Sequence, residues 1–251
     1  SFSEIARIFS IVWQKDNYMT SPTDTPSVLF FGRKGDEKSK ECLKHLKDLE
    51  FDVSVVWSSK RNEKLPEDIG CIEVDYILCY RSYFILPKFL IESPKFYSIN
   101  FHPGSPKYPG SGGINFSLYN NDKNFGVTVH LMDEKVDSGK ILGTKYFPIF
   151  ENDNLYKLLD RTHNNLFSLF IEFTNNLRKS GKNYIEKNLI ENKDVSWGDL
   201  KRTSKDIDNY QLIDKDIDEI ELKNRIRSFN FINYPIELKL YGRSFVLKED
   251  K

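Results

Sequence analysis

Short apolar runs alternate with amphipathic segments through the first half of the chain. Four of these runs occupy residues 28–31, 53–57, 76–79 and 97–101, and each has the length and composition of a buried strand. Between the first two, residues 37–49 place leucines on one face of an otherwise charged segment, which is the spacing of an amphipathic helix. Because strands that alternate with helices pair mostly in parallel through right-handed crossovers, the pattern predicts an α/β fold with a mostly parallel sheet.

The pattern continues and then changes in the second half. Residues 127–132 alternate apolar and polar positions, residues 141–150 form a further extended segment, and residues 154–178 carry an apolar stripe at helical spacing. From about Tyr184 the chain becomes rich in lysine and acidic residues, and it finishes in two alternating runs that flank Gly242. These runs predict a hairpin in which Gly242 takes the first position of a type II′ turn.

These patterns divide the chain into three regions. Residues 1–26 are predicted to form a helix with one apolar stripe and a proline-containing linker. Residues 27–183 form the predicted Rossmann-like domain, and residues 184–251 form a small C-terminal domain that contains both helix and β-structure. A helix docked on its own domain and a helix that contacts a second subunit both fit the first region.

Composition narrows the expected binding partners and cellular compartment of the protein. Lysine and arginine number 37, as do the acidic residues, so the net charge is zero and nonspecific binding to nucleic acid is not expected. No apolar run approaches the roughly 18 residues of a membrane span, and polar residues interrupt the stretch where a signal peptide would be apolar. Three cysteines without a Cys-x-x-Cys pair are expected to be buried or incidental thiols, with no metal site, in a reducing, cytoplasmic compartment.

Residues with reactive side chains are concentrated between 98 and 139. Asn100 and His102 lie on the same side of the fourth predicted strand, because side chains repeat every second residue. In an open α/β sheet, ligands bind beyond the carboxyl ends of strands, where these two residues stand. The glycine-rich stretch 107–114 lets the backbone lie close to a ligand, and Asp137 follows the next predicted strand in an acidic loop.

A carboxamide, an imidazole and a carboxylate together provide what acyl transfer to an amine requires. Histidine moves protons near neutral pH, and an asparagine amide donates to a developing oxyanion. An aspartate stabilises the imidazolium or holds a water for a proton relay. On spacing alone, however, Asn100 fits a strand-end turn beside an ordinary histidine at least as well.

The sequence around these residues resembles the folate-dependent formyltransferase family. Residues 99–110, 126–132 and 136–141 follow the patterns N-x-H-P, P-x-Y-x-G, G-V-T-x-H and D-x-G of that family in the same order. The resemblance covers the middle part of the chain. It implies the formyltransferase fold, N10-formyltetrahydrofolate as co-substrate, and transfer of its formyl group to an amine.

The resemblance also implies roles for single residues. Asn100 would orient the formyl oxygen, His102 would handle the proton, and Asp137 would tune His102 or position a water. His130 matches a second histidine of the family that is usually structural.

The binding residues are implied by two loops and the glycine-rich stretch. Residues 80–87 resemble the loop that lines the folate pocket, and residues 133–137 would face it. The implied folate contacts are Arg81, Tyr83, Phe84, Ile85, Leu86, Asp133 and Val136. The expected contacts to the amine substrate are Ser105, Pro106, Lys107, Tyr108, Gly113 and Asn115. Each of these side chains also fits simple packing or a solvated surface.

The choice of acceptor amine rests on residues 108–120. They read Y-P-G-S-G-G-I-N-F-S-L-Y-N, which resembles the branch of the family that formylates amino sugars attached to nucleotides. We therefore expect dTDP-4-amino-4,6-dideoxy-D-glucose as acceptor, in the synthesis of a surface polysaccharide such as O-antigen. A 3-amino sugar nucleotide is an alternative. Methionyl-tRNA is another, although its enzyme carries a longer C-terminal domain and needs a basic surface.

Other classes of protein fit parts of the sequence. Gly32 and Gly35 follow the first predicted strand, as in nucleotide-binding oxidoreductases, but G-x-x-G lacks the G-x-G-x-x-G fingerprint. A noncatalytic binder of folate or nucleotide sugar is a further alternative, and the presence of all three reactive residues favours the enzyme instead. The last part of the chain also fits an oligomerisation module, which would make the protein a homodimer.

Overall fold

A computed structural model describes residues 25–248 of the chain. Its main sheet has six strands in the order β2-β1-β3-β4-β5-β6. The four strands from β2 to β4 pair in parallel, while β5 and β6 are antiparallel to their neighbours, which confirms the mostly parallel sheet. The predicted helix at the N-terminal end and nearly all of the linker lie outside the described residues. The strands are β1 Ser27–Arg33, β2 Asp52–Ser58, β3 Tyr76–Tyr80, β4 Tyr97–His102, β5 Asn124–Leu131 and β6 Ile141–Pro148.

The helices begin where the sequence supplies caps or turns. Asp36 caps the first helix, because its carboxylate accepts the backbone N–H of Ser39 at 2.9 Å. The third helix begins inside the glycine-rich stretch that the sequence predicts as loop, since Gly112 at φ 77° turns the chain into it. The helices are α1 Glu37–Asp48, α2 Lys88–Ile91, α3 Gly113–Tyr119, α4 Leu155–Ser180, α5 Lys182–Glu191, α6 Ser204–Gln211 and α7 Glu219–Phe229.

Both faces of the main sheet are covered by apolar side chains. On one face, Phe30 and Phe101 pack against Phe170 of α4, with the rings of Phe101 and Phe170 4.7 Å apart. On the other face, Phe31 and Leu90 belong to a smaller cluster. This double burial explains why the parallel strands are continuous apolar runs rather than alternating ones.

The C-terminal region shares the main core and adds a small sheet. Ile185 of α5 and Phe229 of α7 are fully buried in the same cluster as the main-sheet residues. The small sheet contains β7 Leu212–Ile213, β8 Glu237–Leu240 and β9 Arg243–Val246, in that order. The β-containing tail is therefore confirmed, while the domain boundary at residue 184 stays a prediction.

The hairpin formed by β8 and β9 is present, but its turn is not the predicted one. Leu240 pairs with Arg243, so Tyr241 and Gly242 are the two central turn residues. Their φ angles are 48° and 75°, and two left-handed residues make a type I′ turn rather than type II′. Gly242 therefore takes the second position of the turn. The sequence prediction was wrong by one residue because it assigned Tyr241 to the strand.

Candidate active site

The predicted reactive residues meet at the carboxyl end of β4. Asn100 and His102 are the fourth and last residues of this strand and project from the same side of the sheet. The antiparallel pairing of β4 with β5 sets His130 directly opposite Asn100. The loop after β5 then returns Asp137 to the same place. All three predicted catalytic residues are thus brought together, and His130 joins them.

Four side chains form one polar cluster, whose two pairs are connected where Nε2 of His130 lies 3.6 Å from Oδ1 of Asp137. Nδ1 of His102 lies 3.3 Å from Oδ1 of Asp137, and Nδ2 of Asn100 lies 3.0 Å from Nε2 of His130. Nδ1 of His130 is 2.7 Å from the carbonyl oxygen of Leu131. Because a carbonyl oxygen only accepts, Nδ1 of His130 carries the hydrogen, and Nε2 accepts one N–H from Asn100. The other N–H of the Asn100 amide is left to donate elsewhere.

Asp137 is held in the charged form by its surroundings. Burial would by itself raise the pKa of Asp137, but the charge of His102, a hydrogen bond from His102, the neighbouring imidazole of His130 and the Gly110 N–H together hold that pKa well below its usual range. The Gly110 N–H donates to Oδ2 at 2.9 Å. Asp137 itself has a φ of 49°, a left-handed conformation that aspartate tolerates better than most residues. A carboxylate in this position accepts Nδ1–H of His102 and directs the opposite ring nitrogen, Nε2, away from Asp137.

The free nitrogen of His102 faces a narrow space beside Gly104. Nε2 is buried, and no group within residues 25–248 forms a hydrogen bond to it. A Cβ atom at position 104 would lie 2.4 Å from Nε2, so the space exists only because residue 104 is glycine. The buried hydroxyl of Thr128 donates to the Gly104 carbonyl at 2.7 Å and fixes this peptide.

A segment from the C-terminal region covers the cluster, and the sequence analysis did not identify it. The indole ring of Trp197 meets the rings of His130 and His102 edge-on, with centroids 4.9 and 5.6 Å away. Its Nε1–H donates to the carbonyl of Gly139 at 2.8 Å, two residues beyond Asp137. The available signal was a tryptophan within the polar stretch 192–199, which would bury its ring only against another part of the fold.

The same segment also binds the glycine-rich stretch through its backbone. The Gly198 N–H donates to the Pro106 carbonyl at 2.8 Å, and the Ser111 N–H donates to the Arg202 carbonyl at 2.9 Å. The ammonium group of Lys201 donates to the Val136 carbonyl. We refer to residues 197–202 as the strap, because they join the loop of Asp137 to the glycine-rich stretch.

The residues expected to contact folate lie around the smaller apolar cluster. Phe84 and Leu86 pack into it together with Met132, the residue before Asp133. Ile85 and Val136 expose 72% and 43% of their surface, which leaves two apolar side chains open to a ligand. The guanidinium group of Arg81 pairs with Asp36, the ring of Tyr83 lies under Arg33, and Asp133 is exposed.

The residues expected to contact the amine substrate make mainly internal contacts. Lys107 and Tyr108 both donate to the carboxylate of Asp122, at 2.8 and 2.7 Å. Asn115 donates to the backbone carbonyl of Ser228 at 2.7 Å. Their role in binding substrate stays a prediction, as it does for the buried Ser105 and Pro106 and for Gly113, which packs on Tyr108.

Other kinds of site were sought in the part of the chain that the structure describes. Within residues 25–248, no three His, Cys, Asp or Glu side chains are grouped so as to hold a metal ion. None of the helices in this range is long and apolar enough to cross a bilayer. A cavity of about 320 Å³ opens between β6, α4 and α5, and its lining includes none of the predicted site residues.

The fold and the site define a class: an α/β protein in which the carboxyl edge of the sheet joins a carboxamide, two imidazoles and a buried carboxylate. The family model described as "Formyl transferase" matches residues 24–174 of the chain. The chain therefore belongs to the formyl transferase family, as its sequence resemblance predicts. The strap lies outside the matched residues.

Similar proteins come from two branches of this family. Methionyl-tRNA formyltransferase of Ehrlichia chaffeensis is 32% identical over 120 residues, which are 47% of this chain and 40% of that protein. The match thus spans well under half of the curated relative's length. A 4-N formyltransferase from Francisella tularensis is 17% identical, with a TM-score of 0.67 over 90% of this chain and 99% of that one.

A further solved structure is an N-formyltransferase from Helicobacter canadensis in complex with folinic acid and dTDP-3-aminofucose. It is 18% identical, with a TM-score of 0.62 over 86% of this chain and 84% of that one. At these identities, the structural likeness shows a shared fold.

Proposed function

We propose that the protein transfers the formyl group of N10-formyltetrahydrofolate to the amino group of a nucleotide-linked sugar. One observation carries this proposal: His102 is paired to the buried carboxylate of Asp137 through Nδ1 and keeps Nε2 free of other partners among the described residues. An imidazole held in this way is oriented for proton transfer. Membership in the formyl transferase family supplies the reaction class.

The reaction needs one proton to move. The amine nitrogen attacks the formyl carbon and forms a new C–N bond, and the bond from that carbon to N10 of the folate then breaks. The amine loses one proton and N10 gains one, so a neutral amine releases no net proton. In our proposal, Nε2 of His102 takes the first proton and returns a proton to N10. The second N–H of Asn100 donates to the oxyanion that forms between these two steps.

The folate would bind on the side of the smaller apolar cluster. The exposed Ile85 and Val136 lie in the two loops that the family resemblance places around the pterin. Their apolar surface suits an aromatic ring system, while backbone groups would read its polar edge. The crystallised relative from Helicobacter canadensis was solved with folinic acid, a folate of the same chemical class, which supports this part of the proposal.

For the acceptor, we propose dTDP-4-amino-4,6-dideoxy-D-glucose in the synthesis of a surface polysaccharide such as O-antigen. The 4-N formyltransferase from Francisella tularensis covers nearly the whole of this chain and supports a 4-amino sugar. The relative bound to dTDP-3-aminofucose favours a 3-amino sugar as the second candidate. Methionyl-tRNA ranks below both, because a net charge of zero gives little attraction for a polyanion.

The setting of the enzyme forms part of the same proposal. Cys42 and Cys79 are free thiols among the described residues, which suits a reducing, cytoplasmic compartment. We propose that the enzyme works there without a nucleic-acid or membrane partner. We also propose a homodimer formed through β9, because that strand is an open sheet edge with all four residues exposed.

The test is to incubate the purified protein with N10-formyltetrahydrofolate and, separately, the dTDP-linked 4-amino sugar, the 3-amino sugar and methionyl-tRNA. Mass spectrometry should show one formyl group added to the 4-amino sugar. The variant His102→Asn should lose turnover by about 1000-fold while still binding 5-formyltetrahydrofolate. His45→Asn on α1 serves as the matched control. If no amino-sugar nucleotide gains a formyl group, the proposed acceptor class is wrong.

A further inference from the structure

Arg33 ends β1 and Arg81 follows the neighbouring strand β3, at the same edge of the sheet as His102. Phe31 of β1 pairs with Cys79 of β3, two residues before Arg33, which ends β1, and Arg81, which follows β3. Tyr80, the residue before Arg81, pairs with Phe101, the residue before His102 in β4. Arg33 therefore lies two strand spacings, about 10 Å, from the backbone of His102.

Asp36, a carboxylate close enough to act on the charge of Arg33, is engaged by other groups. Oδ1 of Asp36 accepts from the guanidinium group of Arg81 at 2.5 Å. Oδ2 accepts the backbone N–H and the hydroxyl of Ser39, at 2.9 and 2.7 Å. Asp36 thus neutralises Arg81 and caps α1, and Arg33 forms no ion pair with it.

The guanidinium group of Arg33 is held in place without neutralisation. Its Nε–H donates to the Arg81 carbonyl at 3.0 Å, and its centre lies 4.1 Å above the ring of Tyr83. Neither terminal nitrogen donates to any group between residues 25 and 248. The hydrogen bond from Nε and the contact with Tyr83 therefore orient the two terminal nitrogens, which form a fork of donors. This guanidinium fork can donate to an acceptor that is not part of the described chain.

Among the described residues, the charged side chains around Arg33 are three arginines and one carboxylate, Asp36, if Arg33 itself is counted. Burial and the neighbouring charge of Arg81 lower the pKa of Arg33. Burial, Arg81 and Arg33 together lower the pKa of His163 to about 4, so that histidine is neutral near pH 7. Arg61 adds a further positive charge close to Arg33. A partly buried arginine among other cations is a site for an anion.

We infer that Arg33, with Tyr83 beneath it and Arg81 beside it, binds the diphosphate of the nucleotide-linked sugar, in place of the folate contacts that the family resemblance implies for Arg81 and Tyr83. This inference rests on the proposed function, because it takes the acceptor amine to be at His102. A hexose ring and its diphosphate bridge the distance between the two positions, so the amine would reach the reactive cluster while the diphosphate contacts the guanidinium fork. A carboxylate of the glutamate tail of folate is a second anion whose chemistry suits the same guanidinium fork.

Calorimetric titration of the whole protein with dTDP, with inorganic pyrophosphate and with 5-formyltetrahydrofolate separates the two sources. Arg33→Gln should weaken binding of dTDP and pyrophosphate by about 10- to 100-fold and leave the folate affinity unchanged. Arg33→Lys should recover only part of that loss, since an ammonium group has no fork. Arg178→Gln is the matched control, because its Nε also donates to a backbone carbonyl, that of Leu49 at 2.8 Å.

Two results would overturn the inference: unchanged dTDP affinity in Arg33→Gln, or a loss confined to 5-formyltetrahydrofolate. A thermal melt of each variant identifies any that fails to fold, and Arg33→Lys then carries the test. The calorimetry needs no turnover, so it also separates the two proposals. Binding of dTDP at Arg33 without formylation of any amino sugar would sink the proposed function alone. Formylation with unchanged KM for the sugar nucleotide in Arg33→Gln would sink the inference alone.

Discussion

The six-stranded sheet and the strap contribute to the candidate site in different ways. The sheet and its connecting loops supply Asn100, His102, His130 and Asp137, whose side chains form the polar cluster. The strap supplies one indole ring and a set of backbone hydrogen bonds. The residues that would perform chemistry therefore come from the part of the chain that the family model matches, and the indole ring that covers them comes from beyond it.

This difference predicts how strongly a substitution in each region affects turnover. A change in the sheet-derived cluster removes a group that acts on the reacting atoms, so its effect on turnover should be large. A change in the strap only loosens groups that remain present, so its effect should be smaller and should depend on which contact is lost. Four substitutions test this ordering.

The largest effect is expected for Asp137→Asn. The asparagine amide has no negative charge and cannot stabilise the imidazolium form of His102, so turnover should fall by about 1000-fold. Because the folded-state pKa of Asp137 lies below its unfolded value of about 3.9, its contribution to stability is present above that pH and is lost as the pH falls. The difference between the denaturant midpoints at pH 7 and pH 3 should therefore be smaller in this variant than in the unsubstituted protein.

Glu134→Gln is the control for that substitution, since Glu134 is exposed in the same loop. It should change neither the turnover nor the acid sensitivity. If Asp137→Asn kept its activity, the sheet-derived cluster would not be the reacting centre, and the comparison with the strap would lose its basis.

Gly104→Ala should come next, with a loss of turnover of about 100-fold. The new Cβ would lie 2.4 Å from Nε2 of His102 and would displace the ring. Gly143→Ala on β6 is the matched control, because its Cβ meets its nearest neighbour at an ordinary 3.5 Å. Steady-state kinetics and a thermal melt of both variants separate a misplaced imidazole from a general loss of stability. Unchanged turnover in Gly104→Ala would mean that the proton does not pass through Nε2.

Trp197→Phe measures the contribution of the strap. It keeps a ring against His102 and His130 but loses the hydrogen bond to Gly139, so turnover should fall by about tenfold or less. Trp197→Leu also removes the ring and should fall further. The difference between the two variants reports the ring packing. A loss as large as that of Asp137→Asn would show that the strap takes part in the chemistry, which would break the comparison.

The smallest effect is expected for Tyr241→Asn in the turn between β8 and β9. Tyr241 is fully exposed and has a φ of 48°, a conformation that asparagine adopts more easily. The free energy of unfolding should rise by about 0.5 kcal/mol with unchanged turnover, as measured by urea denaturation and kinetics. Gly242→Ala should instead lower that free energy by about 1 kcal/mol. A fall in turnover in Tyr241→Asn would extend the functional site beyond the strap.

Local patterns predicted the main elements well. Four strands appear close to their predicted bounds, because buried parallel strands have continuous apolar sequences. They were predicted at 28–31, 53–57, 76–79 and 97–101. Helix α3 was missed, since Gly110, Gly112 and Gly113 around its start favour a loop, while burial of Phe116 and Leu118 in the tertiary structure stabilises it. The turn at Gly242 was misplaced because a tyrosine rarely takes a left-handed conformation.

The sequence by itself determined which residues alternate, which carry reactive groups, and which family patterns they follow. Asn100 and His102 share a side because a strand repeats every two residues, and that relation is local. Only the tertiary structure decided three features: the pairing of His130 with Asn100, the narrow space beside Gly104 and the cover by Trp197. Each of these contacts joins residues distant along the chain, and such contacts depend on how sheet, loop and strap pack together rather than on any local preference.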